Sequence, residues 1–233
     1  MSASVAERRQ LLVQELARLL RADMGIWAWG RGFSADGGIQ PVAHIDVGMT
    51  IQHQTCLAEM GLNPKNDMEF RAVIIQRMGE SRQITVARKD VYSDAEWDRR
   101  PYFRLICEGL EMTSWVMSLC YPGPDTWTTM TYWRKDHLSD LGERERRLLN
   151  LAFNTISWIQ PTAVESIPGE VFAGLTHRQR TVLLLLLGGH SRKSIAAQLG
   201  VTEHTVGDHI KLIYQHFHVH SVNELAAKML RAN

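Results

Sequence analysis

The side chains that could meet a charged partner crowd into the end of this 233-residue chain. Seven of its ten histidines lie there: His177, His190, His204, His209, His216, His218 and His220. Residues 175–233 carry seven Lys+Arg against three Asp+Glu, a net +4, whereas residues 1–174 carry nineteen against twenty-two, a net −3. A small basic, histidine-rich end on a mildly acidic body suits a polyanion. His216-x-His218-x-His220 straddles a helix end without the HxxxH spacing of a metal-binding helix face. It therefore reads as imidazoles beside phosphate rather than a metal site. The sequence has no GxSxG, HExxH or P-loop, and Gly30-x-Gly32 with Gly37-Gly38 sits between strands rather than before a helix. No enzyme activity, metal or cofactor is expected.

Those residues need a scaffold. Thr176-His177-Arg178-Gln179 reads as a capping box opening a helix that runs through Leu183–Leu187 and stops at Gly188-Gly189. Ser191 caps a short helix, Arg192 to Leu199, ended by Gly200. Thr202 caps a third, where Val206, Ile210, Ile213 and Phe217 form one buried stripe. Ser221-Val222-Asn223-Glu224 opens a fourth helix toward Leu230. Four short helices with tight joints describe a helix-turn-helix. Leu175-Thr176-x-Arg178-Gln179-x-x-Val182-Leu183, then Ile195-Ala196-x-x-Leu199-Gly200-Val201-Thr202-x-x-Thr205-Val206-x-x-His209, then Ile213-Tyr214, resembles the LuxR-type DNA-binding domain of the LuxR/FixJ family over residues 175–230.

The resemblance implies that the third helix enters the major groove of double-stranded DNA, exposing His204, Thr205, Asp208, His209 and Lys211. Thr205 matches a phosphate contact, Lys211 a groove-facing lysine and His209 a common histidine that either meets DNA or is structural. Arg192-Lys193, at a helix N-terminus, suits phosphate. The chain departs from the family at Gly207, where lysine is common, at Asp208, and at Gln215-His216, where a basic pair is common. The family's base preference is therefore not carried over, and electrostatic affinity is expected to be lower. Asp208 either accepts from cytosine N4 or pairs with Lys211 or Lys193. The fourth helix, with Val222, Leu225, Ala226 and Met229, is where the resemblance implies subunit pairing into a homodimer.

Ahead of this module the pattern gives a helix at Val5–Leu20, strands at Met24–Trp29 and Val42–Val47, and helices at Ile51–Met60 and Asp67–Met78. There follow a strand at Gln83–Ala87, short helices through Trp97 and Tyr102–Glu108, a hairpin (Thr113–Tyr121, Thr126–Trp133) and a long helix from Ser139 to Trp158. This is an α+β domain, an antiparallel sheet with flanking helices on one side, whose element order is similar to GAF- and PAS-like sensor domains. Trp27, Trp29, Trp115 and Met117, with His44 and Asp46 as polar contacts, are candidate walls of an effector pocket; the plain alternative is core packing. A phosphorylated receiver domain does not fit a chain that opens with a helix and lacks an Asp-Asp pair. Acyl-homoserine lactone receptors have similar length and layering, but no proline follows an aspartate here.

Gln160–Gly169, with two prolines, loses apolar periodicity, dividing the chain into residues 1–160, a linker at 161–174 and residues 175–233. The longest apolar run, Val182 to Leu187, is too short to cross a membrane, and the N-terminal residues lack the apolar stretch of a signal peptide. Cys56, Cys107 and Cys120 suit a reducing compartment. The expectation is a dimeric cytoplasmic transcription regulator, with an N-terminal domain that senses a small effector or mediates association and no membrane partner. The alternatives are a protein-interaction regulator without a small ligand, a lactone-type quorum-sensing receptor and, last, an enzyme fused to a DNA-binding tail.

Overall fold

Strands dense in tryptophan, threonine and valine pair into one antiparallel sheet, because such side chains pack best on a pleated surface. In the computed structural model, which describes residues 5–34, 39–62, 64–99, 109–123, 126–135, 140–156, 159 and 174–231, the strands are β1 (Met24–Arg31), β2 (Gln40–Val47), β3 (Gln83–Ala87), β4 (Ser114–Gly123) and β5 (Thr126–Arg134). Their order is β2-β1-β5-β4-β3. The expected helix Tyr102–Glu108, the Pro124-Asp125 turn and the linker up to residue 173 lie outside the described residues.

Register decides which side chains share a face. Trp27 pairs with Met130, and Met130 with Ser118, so Trp27, Trp29, Val116, Cys120, Met130 and Tyr132 lie on one side. Helices α1 (Val5–Leu20) and α6 (Glu143–Thr155) cover that side through Val13, Leu16, Leu149 and Phe153. Ala28, Trp115, Met117, Trp127 and Trp133 point the other way, among residues of α3 (Pro64–Met78), α4 (Arg88–Val91) and α5 (Asp94–Trp97). Helices thus flank both faces, not one. The cause is that both parities of the central strands are apolar, so neither face can be left to water. Gly25 allows the sheet to close at one point: a Cβ there would stand 2.4 Å from the Tyr132 ring carbons.

The α6 helix is shorter than the pattern suggested. Glu145 accepts from the Gly142 N–H at 3.0 Å at its start, and Ile156 turns extended at its end. Arg88, buried at 5 % exposure, is held by Asp94 at 2.6 Å and Asp140 at 3.1 Å.

At the C-terminal end, α7 (His177–Leu187), α8 (Arg192–Leu199), α9 (Glu203–Phe217) and α10 (Val222–Arg231) follow one another closely. Thr176, Ser191 and Thr202 each accept a backbone N–H at the start of α7, α8 and α9. Gly200 ends α8 at φ 64°, a left-handed conformation that sets the turn into α9, while the Val201 N–H reaches back to the Ala196 carbonyl. Leu184 of α7 packs on Ala58 of α2 (Ile51–Leu62), so the helical end rests against the sheet-bearing part.

Candidate nucleic-acid interface and ligand cavity

The third C-terminal helix buries Val206, Ile213 and Phe217, with Ile210 half-buried; this anchors α9 and turns its other side outward. His204, Asp208, Lys211 and Leu212 are exposed on it, and Arg192 and Lys193 are exposed at the start of α8. Thr205 is half-buried, its hydroxyl 2.9 Å from that of Thr202. His209 is also half-buried, with Nδ1 enclosed and lacking a hydrogen-bond partner among the described residues, which favours the structural side of its two expected roles. Asp208 pairs with neither lysine. Its Oδ2 lies 3.7 Å from His204 Nε2, because positions four apart face each other on a helix.

Gly207, the departure from the resembled pattern, has a spatial explanation. A Cβ there would stand 3.1 Å from Arg192 Nη1, so the guanidinium of α8 lies across the bare Cα of α9. Arg178 Nη2 donates to the Leu199 carbonyl at 2.7 Å, tying α7 to the end of α8. Lys228 Nζ donates to the Phe217 carbonyl at 2.6 Å, placing a cation at the C-terminus of α9. On α10, Leu225 is buried in its own domain while Val222 is exposed. Among the described residues no group of three His, Cys, Asp or Glu side chains could hold a metal ion.

A cavity of about 140 Å³ opens on the sheet face that carries Trp115. Trp115, Trp127, Trp133, Phe70 and Met117 wall it, and His44, Gln54, Thr129 and Thr131 supply its polar edge. The Trp115 Nε1 is buried and has no hydrogen-bond partner among the described residues. Of the expected pocket residues, His44, Trp115 and Met117 line this space. Asp46 stands behind it, 3.5 Å from His44 Nε2 and accepting from Gln54 Nε2 at 2.9 Å.

Trp27 and Trp29 are corrected: they face α1, where Arg9 lies 5.2 and 5.3 Å from their ring centres, and Trp27 Nε1 donates to Thr128. Their positions are odd in β1, whereas Ile26 and Ala28 of the same strand line the cavity. Sequence reasoning also missed Trp127, Trp133 and Gln54. The two tryptophans follow from pairing Trp133 with Trp115, a register that the hairpin alone almost fixes.

Residues 173–229 match the family model of bacterial regulatory proteins of the luxR family. No curated protein matches the chain in sequence. Among solved structures, SdiA in complex with octanoyl-rac-glycerol is similar at 14 % identity over 99 % of this chain and 90 % of that chain, with a TM-score of 0.41. Escherichia coli SdiA in another crystal is similar at 12 % identity over 99 % of this chain and 92 % of that chain, with a TM-score of 0.39. The four C-terminal helices are a LuxR-family helix-turn-helix. No helix among the described residues is long and apolar enough to cross a membrane.

Proposed function

We propose that this LuxR-type regulator acts in the cytoplasm as a homodimer, reads double-stranded DNA with α9, and answers to a compact effector held beside its sheet. The observation that carries the reading is one chain joining an outward-facing, capped helix to a cavity of aromatic rings with a polar edge. Arg192, Lys193, Thr205 and Lys211 meet phosphates and His204 reaches toward base edges, while Asp208, paired with His204, faces the duplex without reading a base. Residues 1–160 sense, residues 175–233 bind DNA and residues 161–174 link them. An effector changes DNA binding only through different affinity for two arrangements of these parts.

Selection of duplexes from a random library by the purified full-length chain tests the DNA half. An enriched motif whose affinity falls as salt rises is the expected result. A folded chain that enriches nothing, or binds without salt dependence, removes the assignment. Tryptophan fluorescence titrated with neutral metabolites tests the effector half: Trp115, Trp127 and Trp133 line the cavity, so occupancy should alter emission.

A further inference from the structure

The cavity is not closed by the sheet-bearing part alone. Leu184 and Leu185, on the first helix of the helix-turn-helix, form part of its wall. Both are nearly inaccessible, and Leu184 packs on Ala58 of α2. Polar groups surround that contact. Gln54 Nε2 donates to the Asp46 carboxylate at 2.9 Å, which leaves Gln54 Oε1 facing His190 Nε2 at 2.6 Å. A carboxylate only accepts, so the amide orientation is fixed and His190 must be the donor. Asp46 in turn lies 3.5 Å from His44, and both Gln54 and His44 line the cavity. One chain of polar contacts therefore runs from the turn after α7 to the cavity wall. Arg178 Nη1 of α7 lies 3.8 Å from Glu59 Oε1 of α2, at the edge of the same contact.

Resting on the effector reading above, we propose that the ligand site is shared between the two parts of the chain, with α7 as one of its walls. The occupant is a neutral molecule about as large as a monocyclic aromatic, carrying one uncharged polar group. Size follows from volume: an apolar cavity of roughly 150 Å³ takes benzene. Neutrality follows from the lining, which has no lysine, arginine or carboxylate among the described residues, so a charge would enter unpaired. The polar group follows from His44, Gln54, Thr129 and Thr131, which line one edge of the cavity. A ligand touching both parts favours their docked arrangement. By linkage, any change it causes in DNA affinity is returned as an equal change in its own affinity.

The test uses the full-length chain and two probes, phenol and 4-propylphenol, titrated by saturation-transfer NMR, with hydrogen exchange followed in parallel. Leu184→Ala removes wall carbons that the propyl group can replace. The affinity ratio of 4-propylphenol to phenol should rise about tenfold over wild type, and phenol should slow exchange at α7 as well as in β4 and β5. Leu184→Val, a milder truncation, should raise the ratio about threefold, since one methylene is worth roughly that factor. It serves if the alanine variant fails to fold. Phenol binding that protects only β4 and β5, with a ratio unmoved in the folded variants, overturns the shared wall and leaves the effector cavity standing. Failure of phenol to bind the folded wild-type chain overturns both.

Discussion

Gly207→Ala sets two effects of opposite sign against each other. Glycine in the interior of a helix costs about 1 kcal/mol relative to alanine, so α9 gains that much from the substitution. The new Cβ stands 3.1 Å from Arg192 Nη1, tighter than an ordinary contact. Arg192 is exposed and the atom in question is the far end of a flexible side chain, so it can retreat by a few tenths of an ångström. The net expectation is a gain of roughly 0.5–1 kcal/mol, which for a chain of this size raises Tm by about 1–4 °C. Thermal unfolding followed by circular dichroism measures it. The same retreat moves a cation along the recognition surface. Against a fixed duplex, Arg192→Ala should lower the slope of log affinity against log salt by about 0.9, the value of one lost phosphate contact. A Gly207→Ala chain less stable than wild type by more than about 0.5 kcal/mol would refute the reasoning, since it would mean that Arg192 is fixed in place.

Asp208→Ala should raise affinity for all duplexes alike, because its exposed pairing with His204 is worth little and its carboxylate repels phosphate; a loss of preference at one base pair would instead reveal base readout. Asp140→Ala should cost about 1–2 kcal/mol in urea unfolding, between the cost of an exposed and a buried pair, since among the described residues it would leave Arg88 with the exposed Asp94 alone and take a partner from Lys89. Burial pushes the Asp140 carboxyl up, but Lys89 and Arg88 more than offset this and hold it below its ordinary value. A depressed carboxylate stabilises the fold above its unfolded pKa of about 4 and loses that contribution as pH falls through the folded value, so wild type should lose stability more steeply than Asp140→Ala below about pH 4. Burial, aided by Glu59, pushes the Cys56 thiol up to about 11. Iodoacetamide should therefore modify Cys56 only slowly at pH 8, and fast labelling there would contradict its placement.

The C-terminal helices were legible because each boundary carries a local chemical signal. Thr176, Ser191 and Thr202 accept the backbone N–H groups their spacing predicts, and Gly200 takes the left-handed turn. The sheet was legible strand by strand, since β-branched and aromatic runs mark themselves. Its faces were less so. Trp27 and Trp115 both read as aromatic strand residues, and only the register of β1 on β5 and β5 on β4 separates them onto opposite sides. Asp46, expected as a polar contact of the pocket, stands behind its wall, because sequence parity gives the face and not the depth. Leu184 and Leu185 could not be assigned to a ligand wall at all. In sequence they belong to an apolar run that any helical core would contain, and their contact with the sheet-bearing part joins residues more than a hundred positions apart.

Gly207 departs from the family pattern, yet the charge it removes from α9 is supplied by a neighbouring helix. Taken along α9 alone, glycine in place of lysine followed by Asp208 leaves the start of the recognition helix poor in positive charge. Across the turn, Arg192 fills the space that the missing side chain leaves, its guanidinium 3.1 Å from where a Cβ would be. The cation is thus supplied by α8, whose N-terminal end also carries the exposed Lys193. An arginine anchored on the supporting helix has a different reach from a lysine rooted on α9, and its planar fork favours paired contacts. On the proposed DNA-binding reading, positive charge at the duplex is retained while its geometry changes, so salt-dependent affinity should persist even where the base preference of related domains does not.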